Sequence, residues 1–250
     1  MTRIYDALER SEKTAQEGRP ALTGPSRQNL KLGRLSESLK ETLLGLHQNI
    51  TTLLPGKGGH VVQFVSALPS EGSTELCREF AKVTTLVLGR KVLLLDSDHE
   101  RSAQADHFDI RPEKSVDSEG GNGAGDGKGE LAPASFFRIA DTSLYVTKVK
   151  GRGRPHQLMH NQGKAKDFFD SVRSTFDLVL VDSPAAAESP AGLSLSGLSD
   201  GVVLVVEAGR TRWQVADTVA NRIRATGGNI LGVLLNKRDY PIPQFIYERI

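Results

Sequence analysis

The chain has 250 residues, of which 38% are hydrophobic and 25% are charged, values typical of an ordinary folded protein. Its formal net charge of +2 is too small to indicate a nucleic-acid partner. A single cysteine, Cys77, excludes an internal disulfide, and no apolar run approaches the roughly 20 residues that span a bilayer, so we expect a cytoplasmic protein.

The N-terminal part of the chain is predicted to be separate from the domain that follows. Residues 1–12 are predicted to form a short helix, and residues 13–34 form a linker rich in Gly, Pro and Ser. A longer helix is predicted after Ser36, which is a residue type that caps helix N-termini. We therefore divide the chain into an N-terminal helix and linker, 1–34, and a domain, 35–250.

The next segment has the pattern of a βαβ unit. VVQFVSA, which begins at Val61, is a short apolar run, and the loop LPSEGS follows it. A helix is predicted over 74–88, and the second apolar run, KVLLLDSD, comes after it. Two strands joined through a helix run parallel in one sheet. The sequence therefore predicts a parallel sheet with helices against it.

Regular patterning resumes after a Gly-rich stretch at about 117–129, which we interpret as a disordered insertion. Further strands and helices are predicted at 143–149, 164–175, 177–182, 201–209, 212–226 and 230–236. The strands are nearly continuous Val and Leu runs, which is typical of strands covered on both faces. The expected fold class is α/β, with a doubly wound, mostly parallel sheet.

The loop after the first predicted strand is the expected ligand site, since open parallel sheets bind ligands at the carboxyl ends of their strands. A phosphate-binding P-loop reads G-x-x-x-x-G-K-S/T, and the matching stretch runs from Ala67 to Thr74. Gly72 and Thr74 fit this pattern, whereas Ser73 stands at the lysine position. Loop N–H groups still attract an anion, but serine cannot place a positive charge on the β- and γ-phosphates. We therefore predict a P-loop NTPase-like domain that binds ATP and Mg²⁺ weakly and turns over very slowly.

Three carboxylates are predicted near this loop, because Asp96, Asp98 and Asp182 stand at or just beyond the ends of two strand runs. In P-loop enzymes such carboxylates hold Mg²⁺ or position water. The alternative is that each of them only caps the turn that follows its strand. Without a lysine and phosphates these charges repel one another, unless Mg²⁺ or protonation relieves the repulsion.

Five motifs in order resemble the bacterial tyrosine kinases of capsular and exopolysaccharide systems. SALPSEGST is similar to their Walker A, VLLLDSDHER to Walker A′, and FDLVLVDSPAA to Walker B. SDGVVLVVEAGRTR and the C-terminal LGVLLNKRDYPIPQFIYERI resemble later segments of the same domain. The resemblance implies a catalytic group of Asp96, Asp98 and Asp182 and a metal site of Thr74, Asp96 and Asp182. It also implies that ATP is bound by Ala67, Glu71, Gly72, Ser73, Thr74 and Asn236, the last of them near the adenine.

The chain also departs from the family pattern. Ser70 replaces the glycine before the glutamate of Walker A, and Ser73 replaces the lysine. The oligomerisation motif E-x-x-R-x-x-R-x-N is present as Glu41, Leu44, His47 and Asn49, without either arginine. The C-terminal tyrosine cluster is reduced to Tyr240 and Tyr247. These changes predict impaired catalysis and an altered assembly.

The resemblance implies a role in exopolysaccharide or capsule synthesis, in the cytoplasm or at the inner membrane through a polysaccharide co-polymerase. The first hypothesis is a regulatory protein without effective catalysis, which forms homo-oligomers or hetero-oligomers with an active kinase. The second is a working tyrosine-protein kinase that transfers phosphate from ATP to protein tyrosine with the help of an unusual cation. The third is a positioning ATPase of the Min/Par type, whose signature lysine would stand at Leu68. We rank the third hypothesis last.

Overall fold

The computed structural model describes residues 35–56, 58–98, 103–108, 136–148 and 162–238. The predicted N-terminal helix and linker, the Gly-rich insertion and the two C-terminal tyrosines lie outside these residues. None of the helices in the described part combines the length and the apolar character that crossing a bilayer requires.

The described residues form helices and strands that alternate along the chain, except that β3 and β4 follow one another. The helices are α1 (Glu37–Leu53), α2 (Ser73–Leu86), α3 (Ala103–His107), α4 (Gln162–Arg173), α5 (Ala191–Ser194) and α6 (Trp213–Ala225). The strands are β1 (His60–Ser66), β2 (Val92–Asp96), β3 (Phe137–Arg138), β4 (Leu144–Lys148), β5 (Leu178–Asp182), β6 (Gly201–Glu207) and β7 (Ile230–Asn236).

The strands form one sheet in the order β3-β4-β2-β5-β1-β6-β7. Every neighbouring pair is parallel except β3 and β4, which are antiparallel. This arrangement confirms the predicted α/β class with a mostly parallel sheet. Three short elements, α3, α5 and β3, were not predicted, because they are too short to show a hydrophobic period.

The sheet carries its core on both faces. On one face, α1 and α2 cover the sheet, and the ring of Phe64 lies 5.7 Å from that of Phe80. On the other face, α4 packs against β1 and β5 through Phe169 and Val172, and α6 packs against β6 through Ile223. Burial of each of these side chains stabilises the fold by about 2 kcal/mol. The central strands are therefore covered on both sides, as the apolar runs predicted.

The N-terminus of α1 is fixed by its predicted cap. The hydroxyl oxygen of Ser36 accepts a hydrogen bond of 3.2 Å from the backbone N–H of Leu39, which satisfies a donor that the first helical turn leaves open. Leu43 and Ile50 lie two turns apart on the buried face of the helix. Cap and apolar spacing together explain why the chain is helical here.

Strand β7 differs from the prediction of a strand covered on both faces. It lies at the edge of the sheet, and Val233 and Leu235 are 56% and 54% exposed. Both side chains point to the same face, since residues two apart in a strand share a face. That prediction was wrong for β7, because an apolar run does not reveal the position of its strand in the sheet.

The strand register brings the carboxyl ends of β1, β2 and β5 together. Asp96 pairs with Asp182 across β2 and β5, and Phe64 pairs with Asp182 across β1 and β5. The loop 67–72, which follows β1, therefore lies at the same edge as both carboxylates. This is the edge at which parallel α/β sheets bind ligands.

Candidate phosphate-binding loop and carboxylate site

The loop 67–72 connects β1 to α2 and is fastened to the neighbouring strands. The N–H of Ala67 donates to the carbonyl oxygen of Val205 at 3.2 Å. The side-chain amide of Asn236 donates to the carbonyl oxygen of Glu71 at 2.8 Å. Gly72 has φ +89°, and a Cβ at this position would collide with the amide of Asn236. Only glycine fits there, which explains the glycine that the P-loop pattern requires.

Glu71 turns its carboxylate into the loop, where the side chain is fully buried. One oxygen accepts a 2.8 Å hydrogen bond from the N–H of Leu68. The other oxygen accepts from the N–H of Glu207 at 3.3 Å and from the hydroxyl of Thr211. The backbone N–H of Leu68 is thus bonded within the protein, and Glu71 joins the loop to the end of β6 and the turn after it.

Two cationic side chains contact the loop through its carbonyl oxygens. Arg210 donates to the carbonyl of Pro69 at 3.2 Å, and Lys237 donates to the carbonyl of Ser70 at 2.6 Å. Both also pair with Glu207, at 3.0 and 3.1 Å. Hydrogen bonds from Arg210 and then from Lys237 lower the pKa of the Glu207 carboxyl. Sequence reasoning missed this cluster, although both cations follow strands that end at the site.

The residue at the lysine position, Ser73, is the first residue of α2 and is 6% exposed. Its neighbour Thr74 donates its hydroxyl hydrogen to Asp182 at 3.1 Å. The threonine and the carboxylate that were predicted as metal ligands are therefore in direct contact. Ser70 has φ +65°, which is the left-handed region that favours glycine.

Gln104 of α3 connects the two strand-end carboxylates. Its side-chain amide donates to Asp182 Oδ2 at 2.8 Å, and its backbone N–H donates to Asp96 Oδ2 at 3.2 Å. The backbone N–H of Asp98 donates to Asp96 Oδ1 at 3.1 Å. The structure thus brings Asp96 and Asp182 together, and Asp98 is joined to them through its backbone N–H. It also places there a residue that no sequence motif indicated.

The pKa of Asp182 is strongly perturbed. Burial raises its pKa from the ordinary value of 3.8 to about 7. The hydrogen bond from Gln104 lowers the pKa, the negative charge of Asp96 raises it, and the hydrogen bond from Thr74 lowers it. The expected repulsion between carboxylates is therefore relieved in part by protonation of Asp182 below about pH 7.

The site offers oxygen ligands that fit Mg²⁺. Thr74 and Asp182 carry the oxygen atoms that Mg²⁺ prefers. Each oxygen of Asp182 accepts one hydrogen bond, from Thr74 or from Gln104, and keeps a second lone pair for a metal ion. Among the residues that the structure describes, no group of three or more His, Cys, Asp and Glu side chains is placed to hold a metal ion, so the other ligands would be water or phosphate oxygens.

Comparison with known proteins finds relatives that are similar in sequence. No protein-family profile matches the chain. The chain is 27% identical over 192 residues to the succinoglycan biosynthesis transport protein ExoP of Rhizobium meliloti, a match that covers 75% of this chain and 23% of ExoP. It is 22% identical over 204 residues to the tyrosine-protein kinase CpsD of Streptococcus agalactiae, which covers 82% of this chain and 86% of CpsD. The chain thus spans less than a quarter of ExoP but most of CpsD.

Solved structures share the fold. The kinase domain of the Escherichia coli tyrosine kinase Etk superposes with a TM-score of 0.67 at 17% identity, covering 94% of this chain and 91% of that domain. The cell-division protein MinD of Aquifex aeolicus gives a TM-score of 0.53 at 20% identity, over 76% of this chain and 73% of MinD. The sequence relatives and the shared fold together support an assignment by similarity to the bacterial tyrosine kinase and exopolysaccharide-synthesis P-loop family.

Proposed function

We propose that this protein is a regulatory member of an exopolysaccharide or capsule synthesis system, with the fold of a tyrosine kinase but with impaired catalysis. It acts in the cytoplasm, or at the inner membrane through a polysaccharide co-polymerase. The observation that carries this proposal is Ser73, a short neutral side chain at the position where a P-loop needs lysine.

The surroundings of the loop support weak binding of ATP and Mg²⁺. Arg210 and Lys237 are the cations that contact the loop within the described residues, and both bind carbonyl oxygens and Glu207. A cation held in this way does not replace a lysine that reaches the terminal phosphates.

Helix α1 supports an altered assembly. The family's two arginines are replaced by Leu44 and His47, and both are partly buried. Leu44 packs against the core, and the His47 ring lies 6.4 Å from the ring of Phe80. Neither side chain presents a fixed positive charge to another subunit. We therefore propose a homo-oligomer with different contacts, or a hetero-oligomer with an active kinase, and no nucleic-acid partner.

An ATP titration tests the impaired site. Calorimetry with ATP and Mg²⁺ is compared for the wild type, for Ser73→Lys, and for Ser38→Lys, which adds the same charge at an exposed position of α1. We expect Ser73→Lys to bind ATP at least about tenfold more tightly, a gain of about 1.4 kcal/mol, because it restores the phosphate contact. Ser38→Lys should match the wild type. Tight ATP binding with clear hydrolysis by the wild type would refute the proposal.

A working tyrosine kinase is the second candidate, favoured by the contact between Thr74 and Asp182 that the site retains. It predicts phosphotyrosine at Tyr240 or Tyr247 when the purified protein is given ATP and Mg²⁺, and loss of this signal in Asp98→Ala. Absence of phosphotyrosine from the wild type excludes this candidate. The Min/Par alternative has less support, because its signature lysine position is Leu68, whose backbone N–H is bonded to Glu71.

A further inference from the structure

We infer that two copies of this chain associate through the outer edges of their β7 strands, which pair antiparallel about a two-fold axis at Leu234. The inference names the contact for the altered assembly proposed above, and it rests on that part of the proposed function. It uses the opposite end of the sheet order from β3 and makes no use of the altered motif in α1.

The outer edge of β7 carries backbone groups that can bind a further strand. The sheet order places no strand of the described residues beyond β7. The carbonyl oxygen of Asn236 accepts a 2.9 Å hydrogen bond from the N–H of Ala208, just after β6, so the backbone groups of Asn236 point into the sheet. Backbone groups of successive strand residues point to alternate edges, so those of Val233 and Leu235 point outward. Each of these two residues therefore offers one donor and one acceptor.

The regular part of this edge lacks the residues that usually keep sheet edges apart. The pairing of β6 with β7 is irregular between Val202 and Val203, and the regular stretch of β7 after it runs over 232–236. This stretch contains no charged residue and no proline, whereas protected edges often carry lysine or proline. At the other end of the sheet, the described strand β3 has only two residues. Of the two edges, β7 is therefore the one suited to pairing.

The two residues with outward backbone groups also carry the exposed apolar side chains of β7. Val233 pairs with Leu204, and Leu235 pairs with Val206, across β6 and β7. Leu204 and Val206 belong to the apolar cluster beneath α6, so all four side chains lie on the same face of the sheet. The cover of α6 does not reach Val233 and Leu235, which stay exposed. A strand added at this edge would shield both side chains from water.

A second copy of the same strand fits this edge. With the two-fold axis at Leu234, Val233 of each copy lies opposite Leu235 of the other, and the two residues exchange both of their outward hydrogen bonds. Their side chains then meet as apolar cross-strand pairs on one face. Lys237 of one copy lies about 20 Å along the strand from Lys237 of the other, so no like charges meet at the paired strands. An uncharged, self-complementary edge therefore selects a second copy, and the two-fold contact closes at a dimer.

Sedimentation equilibrium of the full chain measures the association. The wild type is compared with Val233→Lys, which puts a charge into the contact, and with Val87→Lys, which makes the same change at an exposed position after α2. We expect the wild type and Val87→Lys to dimerise, and the dissociation constant of Val233→Lys to be at least about tenfold higher. A wild type that stays monomeric up to about 0.5 mM overturns the inference and leaves the edge to another segment or another protein. A Val233→Lys dimer as stable as the wild-type dimer also overturns it.

Cysteine crosslinking tests the register and decides if Val233→Lys does not fold. Across the proposed contact, the Cα atoms of Val233 and Leu235 are about 5.5 Å apart, within the reach of a disulfide. The two copies of either residue are offset along the strands and lie about 8 Å apart, beyond that reach. A mixture of Val233→Cys and Leu235→Cys should therefore form a disulfide-linked dimer under mild oxidation, and neither variant alone should. A mixture that crosslinks no better than the single variants overturns the inference.

Two features keep these measurements separate from other effects. The native thiol of Cys77 is buried in the core, so it is not accessible to a second copy. Neither measurement contains ATP, so a failure here is distinct from failure of the impaired catalysis, which depends on ATP binding by the wild type.

Discussion

Replacing Asp182 by asparagine should remove a pH dependence from the stability of this protein. Burial raises the pKa of this carboxyl from 3.8 to about 7 in the folded chain. In the unfolded chain the group is exposed and returns to its ordinary value. Between these two pH values the folded protein holds a proton that the unfolded chain releases. The free energy of unfolding of the wild type therefore falls as the pH rises from about 4 to about 7, and this contribution is constant above pH 7.

The size of the effect follows from the shift. A difference of roughly three pKa units corresponds to about 4 kcal/mol of stability lost between the two ends of this range. Asparagine does not titrate and removes this dependence. It also loses the hydrogen bond from Gln104, at a cost of about 1 kcal/mol that does not depend on pH. The variant should therefore be less stable than the wild type near pH 4 and more stable at pH 8.

A second, partly buried group acts in the opposite direction. Burial, together with the positive charges of Arg78 and Lys82, lowers the pKa of His107 from 6.5 to about 4. Its contribution to stability therefore rises with pH between about 4 and 6.5. This contribution is common to both proteins, so it cancels when the variant is compared with the wild type at each pH.

The assay is urea unfolding followed by far-ultraviolet circular dichroism at several pH values, with linear extrapolation to water. Asp167→Asn, at an exposed position of α4, is the control and should show the same pH profile as the wild type. We expect the difference between Asp182→Asn and the wild type to change by about 4 kcal/mol from pH 4 to pH 8. A difference that is constant across this range would show that Asp182 titrates normally in the folded state.

Two further predictions concern the loop and use the same unfolding assay at neutral pH. Ser70→Gly should raise the free energy of unfolding by about 1 kcal/mol, because φ of +65° strains a residue with a Cβ; a loss of stability would contradict this reason. Glu71→Ala should lower the free energy of unfolding by about 3 kcal/mol, since Leu68, Glu207 and Thr211 each lose an acceptor for a hydrogen bond. A change below about 1 kcal/mol would mean that water replaces the carboxylate in the loop.

The parts of the fold that depend on local pattern could be predicted from the sequence. The apolar runs located the long strands, and the helical spacing after Ser36 located α1 with its cap. The strand ends also placed Asp96 and Asp182 together, because parallel strands in adjacent register end at one edge. Each of these predictions needs only the pattern of residues that are close in sequence and the general rule that parallel strands end at one edge of a sheet.

The parts that depend on distant residues could not be predicted. The orientation of the Glu71 side chain depends on its hydrogen bonds with Glu207 and Thr211, which belong to another strand and the loop after it. Gln104 lies in a helix of five residues, too short to show a period, and its partners come from α2 and β5. The exposure of β7 depends on strand order, which its own sequence does not contain.

The hydrogen bonds between the end of β7 and the loop have a mechanical consequence. The side chains of Asn236 and Lys237 donate to the carbonyl oxygens of two consecutive loop residues, Glu71 and Ser70. The chain leaves the sheet immediately after these residues. A binding partner that displaces the chain after Lys237 would also displace these two hydrogen bonds. Binding there can therefore alter the shape of the loop 67–72.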